Sequence, residues 1–438
     1  MSTPIYDRPV ELLQSLIRFD TTNLPGNEFD CVMYIKGLLD EAGIESTLVA
    51  KDPNRPCLIA RIQGRGEAPP LMLYGHVDVV STKDQPWTRD PFGGEVIDGY
   101  IWGRGALDMK GGIAMMTSAF LRAHAESTAL PGDVILCIVP DEEVDGVYGA
   151  RYLVENHAGL FDGVRYAIGE FGGYPVHYFG KKFYTLTVGE KQTCSLKAAV
   201  RGRAGHAAVP TRGGAAAKLG HMLTALDQRR LPIHITPPVK QLIETIAQQL
   251  PTEQAAEFLG LLDLARADAV IDRLGEEGKT FDALLHNTVN ATVFHGGTQV
   301  NVIPSEIIVD MDCRILPGLT PDDAIGEIYD VIGQDTAEIE INVYDPGPGD
   351  ADMGLFDTLA DVLKDAEPDA IPIPFIMSGV TDARFFCQLG IQTYGFLPMN
   401  LPDEIDIWDT VHNANERVPA SVIEFGARTI YTALQRFK

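Results

Sequence analysis

The chain is short of the features that would put it in a membrane, on nucleic acid or outside the cell. No apolar run approaches the roughly 18 residues of a membrane helix. The start, MSTPIYDRPVELLQSLIRF, mixes acids into its apolar residues and has no small-residue cleavage site, so it does not read as a signal peptide. The six cysteines, Cys31, Cys57, Cys137, Cys194, Cys313 and Cys387, lie far apart with no CxxC pair. They read as buried thiols in a reducing compartment, by default the cytoplasm. Positive charge is scarce: 35 Lys and Arg face 61 Asp and Glu, a net charge of −26. That argues against nucleic acid or an anionic membrane as partner, because both need clustered cations to displace counterions. No GxxxxGK[ST] phosphate loop occurs, and there is no tandem repeat or low-complexity tail.

What is present suits a soluble globular protein of two domains. With 438 residues, 45% of them hydrophobic, the chain exceeds the roughly 250–300 residues at which single cores stop growing. From Pro9 to about Gly180, helical spacing (Pro9 to Arg18, Phe29 to Ala42, MKGGIAMMTSAFLRAHA) alternates with short β-rich runs (CLIARI, PLMLYGHV, DVILCIV, RYAIGE). The order implies an α/β fold, a mixed sheet with helices on both faces. From about 182 to 345 the pattern becomes βαββαβ, read as a separate ferredoxin-like domain inserted into the catalytic one, which comprises 1–181 and 346–438. FYTLTVGEKQTCSLKAAVRG is taken as one strand, and QLIETIAQQL and EQAAEFLGLLDLARADAVIDRL as extra helices in the first crossover. In IIVDMDCRI, alternation puts Val309, Met311, Cys313 and Ile315 on one face and Asp310, Asp312 and Arg314 on the other.

The chemistry-bearing residues follow apolar runs: His76 in LMLYGHVDVV, Asp108 in GRGALDMKGG, Glu142 and Glu143 in VILCIVPDEEVDG, Glu170 in YAIGEF, with His412 late in TVHNANERV. Ligands of open α/β sheets bind outside the carboxyl ends of the strands, so these groups are expected in one crevice. Two imidazoles and three carboxylates suit a pair of zinc-like ions. Asp108, short and flanked by glycine-rich sequence, is the candidate bridge; Glu143 and His412 complete one site, His76 and Glu170 the other. Asp78 is expected to accept the second ring proton of His76. Glu142, adjacent to a ligand and not needed as one, is the candidate general base. Arg314 and Arg384 are candidates to grip a substrate carboxylate, and His206 and Asn301 to donate to the oxyanion. His124, His157, His177, His221, His234, His286 and His295 are taken as structural. HxE at His124 to Glu126 would suit a deaminase, but no PCxxC follows.

Taken together, GHVDVV, GRGALDMKGG, PDEEVDG, Gly169-Glu170, GHAAVP, NVIP, MDCR, SGVTDAR and HNANERV resemble the zinc-dependent aminoacylase and carboxypeptidase family. That family includes acetylornithine deacetylase, succinyl-diaminopimelate desuccinylase, glutamate carboxypeptidase, aminoacylase, carboxypeptidase S and carnosine-type dipeptidases. The resemblance implies a lid that often dimerises, hence a homodimer through 182–345. It implies His76, Asp108, Glu143, Glu170 and His412 as ligands, Glu142 as base and Asp78 behind His76. His206, Asn301 and Arg314 match substrate-binding lid residues, and Arg384 a carboxylate-binding arginine. Gly379-Val380 departs from the paired glycines usual before Thr-Asp, and the helical insertion between Lys218 and His286 looks more like carboxypeptidase S and the N-acyl-amino-acid hydrolases. The expectation is a two-metal hydrolase, with zinc, cobalt or manganese, cleaving an N-acyl amino acid or small peptide that bears a free carboxylate. A dipeptidase or carboxypeptidase is the alternative within the class, and an inactive metal-bound binding or scaffold protein the alternative outside it.

Overall fold

The computed structural model describes residues 3–438. By internal contacts the chain forms two compact units: one runs to Val188 and resumes over Asp352–Phe375 and Thr381–Lys438, and the other comprises Gly189–Ala351 with Ile376–Val380.

The first unit is built on a mixed sheet. Its central strand, Leu71–His76, runs parallel to Val134–Val139 on one side and to Tyr166–Gly169 on the other, and Gln392–Gly395 continues the parallel set. Cys57–Ile62 and Ser46–Val49 extend it antiparallel beyond Val134–Val139. Every residue of Leu71–His76 and of Val134–Val139 is buried. Both faces are covered, which is why these strands are continuous apolar runs rather than alternating ones. On one face Leu153, Val154, Phe161, Phe385 and Phe386 pack on Ile59, Met72, Tyr74, Ile135 and Cys137. On the other lies the helix Lys110–Ala125, packed also on Pro9–Ile17 and on the C-terminal helix Ala420–Leu434. Its glycines are close-approach residues: a Cβ on Gly111 would stand 2.2 Å from the Ala106 carbonyl oxygen. Fully burying a side chain such as Ile113 or Phe120 contributes about 1.5–3 kcal/mol. The helix thereby fixes the Asp108 loop just ahead of its first turn. No helix is long and apolar enough to cross a membrane among the described residues.

The second unit holds an antiparallel sheet in the order Thr288–Gly296, Glu306–Ile315, Gln192–Arg201, Glu338–Asp345. Helices Ala215–Gln228 and Pro321–Ile332 cover one face through Met222, Ala324 and Ile328. Val309, Met311, Cys313 and Ile315 are buried beneath them, while Asp310, Asp312 and Arg314 are half-buried on the other face. Pro321–Ile332 starts on a capping box, Thr320 and Asp323 each bonding the other's main-chain N–H.

Three expectations are corrected. The long strand Phe183–Gly202 is two, Lys181–Glu190 and Gln192–Arg201, in different sheets. Between them Lys191 is buried, its amide bonded to the Met377 carbonyl and its Nζ to the His286 carbonyl at 2.8 Å, so the ladder changes partner there. The expected helix 253–274 breaks after Phe258, where the Asp263 carboxylate accepts the Ala265 N–H and turns the chain before Ala267–Leu274 begins. None of the six cysteines is in a disulfide, but Cys387 is only half-buried.

Candidate metal centre

His76 ends the central strand, Glu170 follows Tyr166–Gly169 directly, and Glu142 and Glu143 come three and four residues after Val134–Val139. These parallel strands end side by side, so their following residues converge. His76 Nε2 stands 3.3 Å from Asp108 Oδ1, 3.3 Å from Glu170 Oε2 and 3.9 Å from Glu142 Oε2. His412 Nε2 stands 3.1 Å from Asp108 Oδ2 and 3.1 Å from Glu143 Oε2. Two donor triads result, His76–Asp108–Glu170 and Asp108–Glu143–His412, the donor atoms of each lying within 4.8 Å of one another. They share Asp108.

The donors suit cations. Among the described residues Glu143 Oε1 is buried without a hydrogen-bond partner and Asp108 Oδ1 has only the His76 ring at 3.3 Å, an expensive arrangement unless something else neutralises them. Burial and then the nearby Glu170 carboxylate raise Glu142 well above the ordinary carboxylate range. Burial and the Asp108 charge raise Glu143 to about 7. Hydrogen bonds to Asp108 and Glu143 raise His412 to about 10. Five carboxylates, those of Asp78, Asp108, Glu142, Glu143 and Glu170, are thus gathered around two imidazoles, a set that divalent ions would balance.

Loops hold these groups by hydrogen bonds that join distant parts of the chain. The buried Glu416 carboxylate accepts the main-chain N–H groups of Leu107 at 2.8 Å and of Asp108 and Gly105 at 3.2 Å, and pairs with Arg104 at 2.8 Å. Gln85 donates to the His412 carbonyl at 2.9 Å and accepts from Arg104 at 2.7 Å. The Asp78 carboxylate accepts the N–H groups of Glu142 and Glu143, both at 3.2 Å, and the Asn23 amide at 2.9 Å. Burial opposes its charge, but the bonds from His76 and Asn23 keep its pKa below the ordinary value. One expectation is refined here: the nearer acceptor for His76 Nδ1 is the Asp78 main-chain carbonyl at 3.0 Å, with the carboxylate at 3.4 Å. The carboxylate's closer work is on the turn that carries Glu142 and Glu143.

The two arginines differ. Arg384, in the short helix Ala383–Phe386, is buried over the Phe385 ring and forms no ion pair, its Nε lacking a hydrogen-bond partner among the described residues. Beside it the Asp382 carboxylate has neither oxygen hydrogen-bonded, and burial raises it to about 8. Arg314, in the second unit, is already gripped by Asp312 at 2.7 and 3.0 Å and donates to Thr193. His206, also in the second unit, is exposed on a short strand, Gly205–His206, paired with Val302–Ile303. Its Nδ1 accepts the Ala208 N–H at 3.1 Å, which leaves the proton of the neutral ring on Nε2. Asn301 is exposed, and its carbonyl accepts the Ala207 N–H.

Sequence reasoning missed Asn23, Glu28, Arg55, Asp141, Arg104, Glu416 and Asp382. Asp141 and Glu416 stand inside motifs already singled out, PDEE and HNANER, and could have been noticed there. Asn23 and Arg55 carry no local signal, since their partners lie far away in sequence.

A carboxylate–imidazole centre at the carboxyl ends of a parallel set, with one further acid beside both triads, defines the class of metal-dependent hydrolases. The model of Peptidase family M20/M25/M40 matches residues 72–436, and the chain belongs to that family. It is accordingly a metal-dependent hydrolase of amide or peptide bonds. Among curated proteins it is similar to a probable carboxypeptidase S-like protein of Dictyostelium discoideum, 28% identical over 80% of this chain and 68% of that one. It is also similar to the N-fatty-acyl-amino acid synthase/hydrolase of Bos taurus, 24% identical over 84% of this chain and 74% of that one. Its fold is that of an M20 family metallo-carboxypeptidase from Sulfolobus solfataricus, with a TM-score of 0.68 at 18% identity over 98% of each chain.

Proposed function

We infer that the chain is a two-metal amidohydrolase that cleaves the amide of an N-acyl amino acid or small peptide next to a free carboxylate. The observation that carries this reading is the pair of donor triads sharing Asp108, with Glu142 beside them and in neither. His76, Asp108 and Glu170 would hold one ion, and Asp108, Glu143 and His412 the other. Zinc suits these ligands best, with cobalt and manganese also compatible. Such ions, when bound, polarise the scissile carbonyl and lower the pKa of water.

The protein's own groups supply the rest. Glu142 takes the attacking water's proton and returns it to the leaving amine, a role worth roughly 10²–10⁴-fold. Asp78 holds the turn that presents Glu142. Arg384, with no ion pair of its own, takes the substrate carboxylate; Arg314 does so only by exchanging Asp312 for substrate. His206 Nε2–H donates to the oxyanion, together with the Asn301 side-chain amide. Residues 182–345 act as a lid and as the surface for a second copy, a role supported by the exposed Val293 and Phe294 on the strand at the edge of the second unit's sheet. The cytoplasm is the proposed compartment.

The similarity to an N-fatty-acyl-amino acid hydrolase favours a deacylase, and that to a carboxypeptidase S-like protein favours a peptidase. The deciding experiment is free-amine release from N-acetyl, N-succinyl and long-chain N-acyl amino acids beside dipeptides, with and without chelator. Metal-dependent turnover of one class fixes the reaction. Two ions bound per chain with no turnover across the panel would instead support the inactive binding-protein reading.

A further inference from the structure

Behind the turn that bears Glu142 lies a buried polar chain that none of the groups considered above accounts for. Arg55 is 4% exposed and Glu28 is fully buried, and they form a two-pronged pair: Nε lies 2.9 Å from Glu28 Oε2 and Nη2 2.6 Å from Oε1. The same Nη2 reaches Asp141 Oδ1 at 3.1 Å, and the guanidinium lies over the Tyr148 ring, 4.7 Å from its centre. Asp141 Oδ1 also accepts the Asn23 amide at 2.9 Å, whose second proton goes to Asp78 Oδ2 at 2.9 Å. Asp78 in turn accepts the N–H groups of Glu142 and Glu143. The path closes on itself, because Asp141 is the residue covalently before Glu142. Asp141 has φ +74°, a left-handed conformation that a non-glycine residue keeps only when its surroundings impose it. Its Oδ2 accepts the Tyr148 N–H at 3.1 Å and its carbonyl the Gly146 N–H at 2.8 Å, so the turn is clamped on both sides.

Among the described residues Arg55 is the one cation that touches both Glu28 and Asp141. A buried, two-pronged Arg–carboxylate pair fixes direction as well as charge, which a lysine at the same place could not do. Nothing in the chain composition requires an ion pair here. Replacing a buried ion pair by apolar residues of similar volume is often neutral or stabilising, so stability alone does not account for this one. What the pair adds to the bonds from Asn23 and Tyr148 is a charge-assisted hold on the Asp141 carboxylate, and through it on the direction in which residue 142 leaves the turn.

We propose that Arg55, seated on Glu28 and acting through Asp141 and Asn23, is a positioning residue for Glu142. This rests on Glu142 being the general base, and the test separates the two ideas. Arg55→Lys keeps the charge and loses the fork. Glu28→Gln with Arg55→Gln removes the pair's two charges together if Arg55→Lys folds poorly, leaving Asp141 its bonds from Asn23 and the Tyr148 N–H. Each is combined with Glu142→Gln in a double-mutant cycle, and turnover is read alongside hydrogen exchange at the Glu142 and Glu143 amides of the metal-free protein. The expected result is a fall in kcat of about 10- to 100-fold with KM nearly unchanged, as a displacement of about 1 Å can cause. Exchange at the two amides should be faster, and the Glu142→Gln background should show no further loss, because Arg55 acts only through that side chain. Full kcat and unchanged exchange in either variant overturn the proposal. Losses that multiply with those of Glu142→Gln overturn it too, by showing a general structural effect. Undiminished turnover in Glu142→Gln alone removes the base assignment instead.

Discussion

The two donor triads share one carboxylate but live in different surroundings. His76 is 1% exposed, ends a strand buried along its whole length, and is flanked by Asp78 and Glu170. The side chain of His412 is 52% exposed and sits on a loop with φ +63°, tied down by Gln85 through its carbonyl. The first triad is part of the core, and the sheet holds its geometry. The second is closed by a loop, so its ion should exchange with solvent far more readily.

The largest effect should come from the residue the triads share. Asp108→Asn is expected to reduce bound metal from two ions to less than one per chain and turnover by about 10³-fold or more, about 4 kcal/mol in the barrier. Retention of two ions by mass spectrometry would show that the triads do not depend on a common bridge. Glu142→Gln should come next, keeping both ions while kcat falls by about 10²–10⁴-fold; normal turnover would end its role as base. The contrast itself is sharpened by His76→Ala and His412→Ala. The former strands Glu170 and Asp78 in the interior and should cost about 3 kcal/mol of stability in chelator. The latter removes a half-exposed imidazole paired with Asp108 and Glu143, so it should lower metal-free stability by less than His76→Ala does, and lower the affinity for one ion only. Equal shifts in melting temperature would erase the distinction between the two sites.

A smaller effect concerns protons. In the metal-free protein Glu143 lies at about 7 and His412 at about 10, both above their ordinary values. Raised values mean that the folded chain holds these protons more tightly than the unfolded one. Their contribution to stability is present at low pH and is lost as pH rises, through about 7 for Glu143 and about 10 for His412. An ion held by Asp108, Glu143 and His412 must displace both, so filling that site at pH 7 should release about one to two protons, and affinity should fall as pH drops below 7. Calorimetry in buffers of different ionisation heat reads this directly; no release would show that the loop site is preformed for metal. Smallest should be Glu416→Ala, which frees the Asp108 loop from its acceptor and should weaken metal binding by about 10- to 100-fold without touching a donor atom.

Much of this was legible in the sequence where apolar runs end. VILCIV and LMLYGH announce buried parallel strands, and the acids and imidazole just past their ends fall where such strands converge. Asp108 was legible by its glycine-rich flanks and His412 by its motif. The supporting groups were not. Asn23 reaches Asp78 and Asp141 across 55 and 118 residues, and only the completed sheet brings them together. Arg314 shows a different limit: alternation gives its face correctly, but whether a polar-face arginine is free or held by Asp312 depends on rotamers that periodicity does not encode. The break at Lys191 was hidden because both strands are β-rich, and Gly189, two residues before it, lies inside the first strand rather than at the break.

One short segment has a consequence for how the chain tolerates change. His412 supplies a donor atom, and Glu416, four residues on, receives the main chain of the loop that supplies Asp108. Between them Asn415 takes a left-handed turn at φ +64° and its side chain accepts from Thr88. The two anchoring points sit at a fixed spacing, so a one-residue insertion or deletion there would move one of them whatever the inserted residue is. Loops elsewhere on the surface can lengthen at little cost, because closing a longer loop adds only about 0.6 kcal/mol per doubling. The stretch from His412 to Glu416 therefore works as a ruler, and length variation should be tolerated almost anywhere on this chain's periphery before it is tolerated there.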